Sequence, residues 1–324
     1  MHGVVIAVLL FLSPSQVTSS ITNLDGSHTD VSVSQINTYI SRTAPQQMPG
    51  WPKQMPVVPL FAPSGVALAD IDDDGYCEIL AGTTLNAFYV WDYQGNVLAG
   101  WPKTGLEAIQ TKAAVADIDT GFPGLEIIVP GRSNTLYAWH SDGTNVPGWP
   151  QDVGETSGFE SAVIFDIDLD GDLEIILGQR YYPEGKVRIF HHDGTPYAGW
   201  PKPLDYMCVA TPSVGDVDND GVIEICALSF NSAYLWDKDG NDEPGWPKLN
   251  IAGGTIGGGI SYAQPVLSDV TGDGNYDILV AYHTNYDDSV NIFQYDGSGY
   301  GGWPKQYPGP QSYVTPVTAD IDQD

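Results

Sequence analysis

The chain predicts an all-β fold of repeated four-stranded antiparallel blades, a β-propeller, and three observations lead there. An acidic loop of the form DxDxDGxxE, or a close variant, begins at Asp70, Asp117, Asp166, Asp216 and Asp269, and begins again at Asp320. Successive first aspartates stand 47, 49, 50, 53 and 51 residues apart, a period that suits four short strands per unit and is too long for one strand per solenoid coil. A Gly-Trp-Pro element recurs with the same period, at Trp51, Trp101, Trp149, Trp200, Trp246 and Trp303. The expectation is five complete units plus a partial sixth, with a ring that this chain leaves incomplete.

Each unit carries its parts in one order. A first strand, such as Ser161 to Phe165, enters the acidic loop. A second follows as EIL, EIIV, EIIL or DILV, apolar throughout, as expected of a strand covered on both faces. The third strands end at Trp91, Trp139, Phe190, Trp236 and Phe293, and in four of the five an Asp-Gly pair follows within four residues, the signal of a tight turn. The Gly-Trp-Pro element closes the unit, with its proline expected to end the outer strand. One tryptophan at the same place in every unit reads as packing between neighbouring blades more than as a sugar-stacking platform. No helical apolar period competes after residue 45.

The 324 residues hold 12 Lys+Arg against 41 Asp+Glu, a formal charge of −29. That charge repels nucleic acid and anionic membranes, which excludes both as partners. Residues Val4 to Leu12 are an apolar run followed by Thr18, Ser19 and Ser20, which reads as a signal peptide over residues 1–20. A polar linker over 21–44 and repeats over 45–324 complete the expected organisation. The apolar run is too short to cross a bilayer as a helix, so an integral membrane protein is not expected. Three cysteines (Cys77, Cys208, Cys226) make no disulfide framework, and Cys208 and Cys226 read as buried strand residues.

The loops carry the chemistry. Aspartates at positions 1, 3 and 5 put three carboxylates inside one turn, Gly at position 6 lets the backbone reverse, the position 7 carbonyl adds a donor, and the acid at position 9 closes the set. Hard oxygen donors in this number suit Ca²⁺. An EF-hand would need Glu at position 12, where this chain has Ala81, Leu177 or Ala227. Three loops are complete: Asp70, Asp72, Asp74, Tyr76 (carbonyl) and Glu78; Asp166, Asp168, Asp170, Asp172 (carbonyl) and Glu174; and Asp216, Asp218, Asp220, Val222 (carbonyl) and Glu224. A fourth set, Asp269, Thr271, Asp273, Asn275 (carbonyl) and Asp277, keeps a hydroxyl at position 3. The second copy, DIDTGFPGLE, has Gly121 where position 5 needs Asp and an extra residue before Glu126, so it falls short of a ligand set.

The runs DIDDDGYCE, DIDLDGDLE, DVDNDGVIE and DVTGDGNYD, each leading into a strand, resemble the FG-GAP/VCBS repeats, the calcium-loop blades of integrin α-subunit propellers and of many secreted bacterial proteins. The resemblance covers roughly residues 45–324. It implies a propeller, bound Ca²⁺, an extracellular or cell-surface setting and a larger secreted parent of which this chain is a fragment. It does not fix a biological task.

Ligand contact is expected opposite the metal loops, where units depart from the common pattern. The insertions Gln179 to Lys186 and Tyr282 to Ser289 stand out, with Arg180, Tyr181, Tyr182, His283 and Tyr286 as candidates. The stretches Gly253 to Tyr262 and Tyr307 to Tyr313 join them. His140 and His191 share a turn position with Asp92, Asp237 and Gln294 and read as turn residues. No nucleophile elbow, HExxH or phosphate-binding glycine loop is present. The leading expectation is therefore a secreted, calcium-stabilised, non-catalytic module that binds protein or glycan. The alternatives are a calcium-dependent polysaccharide lyase, for which Arg132, Arg180, Lys186 and Arg188 are the few available bases, and the accessory propeller of an enzyme whose catalytic domain lies elsewhere.

Overall fold

The computed structural model describes residues 19–22, 28–31, 49–53, 65–154, 158–181, 183–208, 210–230, 232–251, 264–283, 287–308 and 315–319. The chain divides into Met1–Pro52 and Lys53–Asp324. In the first unit, β1 (Ser19–Thr22) pairs antiparallel with β2 (His28–Val31), inside the range expected as signal end and linker. Residues 1–18, the core of the signal-peptide reading, lie outside the described residues, as do the stretch 253–262 and the sixth acidic loop.

The second unit is all-β, with no helix among the described residues. Repeat 1 is the sheet β3 (Ala67–Ala69), β4 (Glu78–Gly82), β5 (Ala87–Trp91) and β6 (Lys103–Thr104). Repeat 2 is β7 (Ala114–Ala116), β8 (Glu126–Pro130), β9 (Thr135–Trp139) and β10 (Gln151–Asp152). Repeat 3 adds β11 (Gly158–Phe159) to β12 (Val163–Phe165), β13 (Glu174–Arg180), β14 (Lys186–Phe190) and β15 (Lys202–Pro203). Repeat 4 holds β16 (Ser213–Gly215), β17 (Glu224–Leu228) and β18 (Ala233–Asp237), with Lys248 bridging Ala233 in place of a fourth strand. Repeat 5 is β19 (Val266–Ser268), β20 (Asp277–His283), β21 (Asp287–Phe293) and β22 (Lys305–Pro308). Among the described residues every strand pairing is antiparallel and, apart from β11 on β13, between sequence neighbours, and the sheets stay open, as in an incomplete propeller. Residues 315–319 continue the series, with Thr318 Oγ1 3.0 Å from Ser268 Oγ.

The apolar second strands explain themselves once their two faces are separated. Along β8, Ile127 and Val129 join the core shared with repeat 1, while Ile128 joins the core shared with repeat 3. Likewise Ile175 and Leu177 face repeat 2, and Ile176 faces repeat 4. Because strand side chains alternate, a strand sandwiched between two blades is apolar at every position. Among the described residues the core is thus four clusters, one in each gap between adjacent sheets of the second unit.

Each gap is clasped at its rim. Trp101, Trp149, Trp200 and Trp246 are buried. Their Nε1 groups donate to the carbonyls of Ser141, His192, Lys238 and Tyr295, all in the turn of the next repeat, at 2.8–2.9 Å. The packing role expected for these tryptophans is what the structure has. The preceding glycine is dictated by the same approach. A Cβ on Gly148 would stand 2.1 Å from the Asp193 carbonyl oxygen, and Gly148 has φ 86°. The proline differs from expectation: it precedes the fourth strand, as Pro102 precedes β6, so it opens that strand and does not end it. The turn between the third strand and the Gly-Trp-Pro element is closed by pairs such as Gly143 N to His140 O, 2.8 Å, and His140 N to Thr144 O, 2.9 Å.

Candidate metal centre

The first-to-second-strand connections are the acidic loops, so all of them open at the same end of their sheets. Adjacent loops are bonded through backbone: Leu125 N donates to Ile71 O at 3.1 Å, and Tyr276 N to Val217 O at 2.8 Å.

Each loop is wound around its own carboxylates. Asp70 accepts from Asp74 N (3.1 Å) and Gly75 N (2.9 Å). Asp166 does the same for Asp170 N and Gly171 N, both at 3.1 Å. Asp216 takes Gly221 N at 3.1 Å, and Asp269 takes Gly272, Asp273 and Gly274 N. The position 5 acids Asp74, Asp170, Asp220 and Asp273 accept from the nitrogens of Tyr76, Asp172, Val222 and Asn275 at 2.7–2.9 Å. The closing acid folds back beneath the loop and takes the position 2 nitrogen: Glu78 from Ile71, Glu174 from Ile167, Glu224 from Val217 and Asp277 from Val270, at 2.7–3.0 Å. Position 6 glycines hold φ from 88° to 100°, as the sequence predicts. Position 4 is left-handed as well, in Asp73, Leu169, Asn219 and Gly272 at φ 59° to 72°, which the sequence reading missed; Asn219 and Gly272 were the available signal.

Three donor sets converge, with oxygens mutually within 4.8 Å: Asp70, Asp72 and Glu78; Asp166, Asp168 and Asp170; and Asp216, Asp218 and Glu224. These are the three loops complete in sequence. Two buried oxygens, Asp168 Oδ1 and Asp216 Oδ1, meet no protein donor, and a buried carboxylate oxygen left without a partner is costly. Burial, followed by the neighbouring carboxylates, pushes Glu78 and Glu174 above the usual range. Burial, with Asp218, Glu243 and Asp216 adding to it, takes Glu224 to about 8. Burial also raises Asp277. All-oxygen, acid-rich sets whose members resist ionisation without a counter-charge fit a hard divalent cation such as Ca²⁺.

The expected ligand face is opposite. There the turn between second and third strands meets the connection from the preceding repeat, as where Glu107 Oε2 accepts from Ser133 N at 2.6 Å and Glu107 N bonds Tyr137 Oη at 3.2 Å. Asp205 plays this part for repeat 4, taking the hydroxyls of Ser229 and Ser232. The insertion at 179–186 partly lengthens β13, and that at 282–289 lengthens β20 and β21. Arg180 is paired with Glu160, and Arg188 Nε with Gln179 Oε1 at 2.9 Å. Tyr181 is partly exposed. Tyr182 and Tyr286 lie outside the described residues, and His283 is placed only as the end of β20.

Comparison with known proteins agrees at the level of the repeat. Residues 269–324 match the FG-GAP-like repeat model. No curated protein sequence matches the chain. Among solved structures, BBS1N in complex with ARL6DN is similar, at 11% identity and TM-score 0.45, covering 81% of this chain and 88% of that one. The Vibrio cholerae biofilm matrix protein Bap1 is similar at 16% identity and TM-score 0.41, covering 76% of this chain and 51% of that one. Among the described residues no helix is long and apolar enough to cross a membrane.

Proposed function

We propose that this chain, which carries an FG-GAP-like repeat and four earlier copies of its loop-and-strand pattern, is a calcium-stabilised, non-catalytic binding module of the extracellular or cell-surface kind. The observation that carries the proposal is the convergence of carboxylates within the acidic loops of repeats 1, 3 and 4, the last two each holding a buried carboxylate oxygen that no protein group satisfies.

Ca²⁺ would be held by Asp70, Asp72, Asp74, Glu78 and the Tyr76 carbonyl in repeat 1. Asp166, Asp168, Asp170, Glu174 and the Asp172 carbonyl are the set in repeat 3, and Asp216, Asp218, Asp220, Glu224 and the Val222 carbonyl in repeat 4. Asp269, Thr271, Asp273, Asp277 and the Asn275 carbonyl form a fourth. The ion supplies positive charge to loops that otherwise repel themselves, and it ties the first strand of a blade to the second. Extracellular modules bind Ca²⁺ with Kd of about 10⁻⁴ to 10⁻³ M, so each site adds roughly 0.5 to 1.5 kcal/mol at millimolar Ca²⁺. Four sites then contribute a sum comparable with the net stability of a domain.

With the loops at one end given to stability, the opposite end is left for a protein or glycan ligand at a surface or matrix, around Arg180 and Tyr181. The lyase alternative finds less support, since Arg180 and Arg188 are engaged by Glu160 and Gln179. The test is a melting curve with Ca²⁺ and with EGTA, followed by protein and glycan array binding in Ca²⁺. A melting temperature that does not move under chelation contradicts calcium stabilisation. Turnover of an anionic polysaccharide contradicts the non-catalytic reading.

A further inference from the structure

The acidic loops are not equally joined to one another. In two gaps the amide just before a loop's closing acid crosses to the position 2 carbonyl of the preceding loop. These are Leu125 N to Ile71 O, 3.1 Å, between repeats 1 and 2, and Tyr276 N to Val217 O, 2.8 Å, between repeats 4 and 5. Among the described residues no corresponding bond joins the loops of repeats 2 and 3 or of repeats 3 and 4. The repeat 2 loop falls short of a ligand set, so among the described residues repeats 4 and 5 are the bonded pair in which both loops carry one. Two more contacts tie this pair. Asn219 Nδ2 donates to Gly274 O and lies 3.3 Å from Asn275 Oδ1. The Tyr276 ring lies against the entry to the repeat 4 loop, where a Cβ on Gly215 would stand 4.0 Å from its Cε2.

Every one of the bonding groups sits between metal donors. Val217 is flanked by Asp216 and Asp218, and its nitrogen is held by the closing acid Glu224 at 2.7 Å. Asn219 is flanked by Asp218 and Asp220. Across the gap, Tyr276 stands between Asn275, whose carbonyl is the position 7 donor, and the closing acid Asp277. Gly274 precedes Asn275 and has its nitrogen on Asp269 Oδ2 at 3.0 Å. A peptide group clamped between two donors cannot move without moving both. An ion that orders one loop therefore fixes the anchor points of the other, and the second ion has less backbone left to order, which is positive coupling. The two loops are also unequal. Asp216, Asp218 and Glu224 converge within 4.8 Å, whereas the repeat 5 acids do not converge so closely, and Thr271 stands where repeat 4 has a carboxylate.

We propose, resting on the calcium reading of these loops, that repeats 4 and 5 form one coupled calcium unit: an ion in the repeat 4 loop raises the affinity of the weaker repeat 5 loop through Val217–Tyr276 and Asn219–Gly274, while the loops of repeats 1 and 3 fill independently. Linkage makes the effect reciprocal, so an ion in repeat 5 tightens repeat 4 by the same factor.

The test follows the amide signals of Gly221 and Gly274, one in each loop, as Ca²⁺ is titrated into the ¹⁵N-labelled, chelator-stripped full chain. Asp218→Asn, which disables the repeat 4 loop, is expected to raise the Ca²⁺ midpoint at Gly274 by at least about 5-fold. Asp168→Asn, which disables the unbonded repeat 3 loop, leaves that midpoint unchanged. Asp273→Asn raises the Gly221 midpoint by the same factor that Asp218→Asn imposes on Gly274. Coupling carried by bonds persists at about 0.5 M salt, where exposed charges more than a few Å apart are screened. Asn219→Gly keeps every calcium donor and suits the left-handed backbone at φ 59°, and the coupling factor measured in that background falls. A Gly274 midpoint indifferent to Asp218→Asn, an equal response to Asp168→Asn, loss of the shift in high salt, or a factor unchanged by Asn219→Gly overturns the proposal. In each of those cases both glycines still respond to Ca²⁺ and the calcium reading stands; if neither glycine responds, both fall together.

Discussion

Replacing Gly148 by alanine separates the two reasons for a glycine before each clasping tryptophan. At φ 86° an L-residue is strained, by about 1 kcal/mol. In addition the new Cβ would sit 2.1 Å from Asp193 O and 3.1 Å from Asp193 C. Both are backbone atoms of the next repeat, unable to swing aside as a flexible side chain would. Relief requires the repeats to part at this rim, which breaks the 2.9 Å bond from Trp149 Nε1 to His192 O and opens the packing of Trp149 against Phe190. Losing the bond costs about 1 kcal/mol, and loosening a buried tryptophan adds about 1 to 2. The total is about 3 to 4 kcal/mol. Gly105 is the control, with φ 72° and no atom within 4 Å of its added Cβ, so Gly105→Ala should lose only the strain, about 1 kcal/mol. Urea and thermal unfolding in excess Ca²⁺ read both. At about 2–4 °C per kcal/mol, G148A is expected to melt roughly 6–16 °C below wild type and G105A roughly 2–4 °C below. Equal losses would refute the argument that approach by the neighbouring turn, and not backbone conformation alone, selects this glycine.

Leu169 is 61% exposed at φ 62°, so Leu169→Asn should stabilise by about 0.5 to 1 kcal/mol through relieved strain, read as a higher urea midpoint with unchanged Ca²⁺ affinity. Trp200→Phe keeps the ring packing against Trp236 but leaves the Lys238 carbonyl without its indole donor, and should lower stability by about 1 kcal/mol in denaturant unfolding. In calcium-free protein Glu224 titrates at about 8 when folded and near its ordinary value of about 4.3 when unfolded. The folded state then binds the extra proton between those values, so stability is full below about pH 4 and is lost as pH rises through about 8. Melting in EGTA across this range should show that loss, and Glu224→Gln should remove part of it while weakening calcium binding.

Much of the loop was legible because Asp and Gly have few reasons to recur at fixed offsets other than a turn lined with oxygens. Continuous apolar runs such as Glu126 to Pro130 likewise reported strands covered on both sides, since half-covered strands alternate. What stayed hidden depends on partners far away in sequence. His140 looked like any turn residue beside Asp92 and Asp237, but it lies against Asp119, 21 residues earlier, and under an inserted phenylalanine, Phe122, whose stacking the sequence does not announce. The left-handed position 4 was masked because Asp73, Leu169, Asn219 and Gly272 share no chemistry. The proline of the Gly-Trp-Pro element was placed at the wrong end of its strand because proline suits either end of an edge strand. The insertions read as loops, and part of each lengthens a hairpin, since Tyr, Arg and His pair in a ladder as readily as they line a loop.

The central claim is that acidic loops in repeats 1, 3, 4 and 5 hold calcium and the loop of repeat 2 does not. Calorimetric titration of Ca²⁺ into the chelator-stripped chain, repeated on a variant with Asp72, Asp168, Asp218 and Asp273 changed to Asn, tests it most directly. Four ions for the wild type, lost in the variant, are what the account predicts. No heat of binding, or binding that survives in the variant, would contradict it.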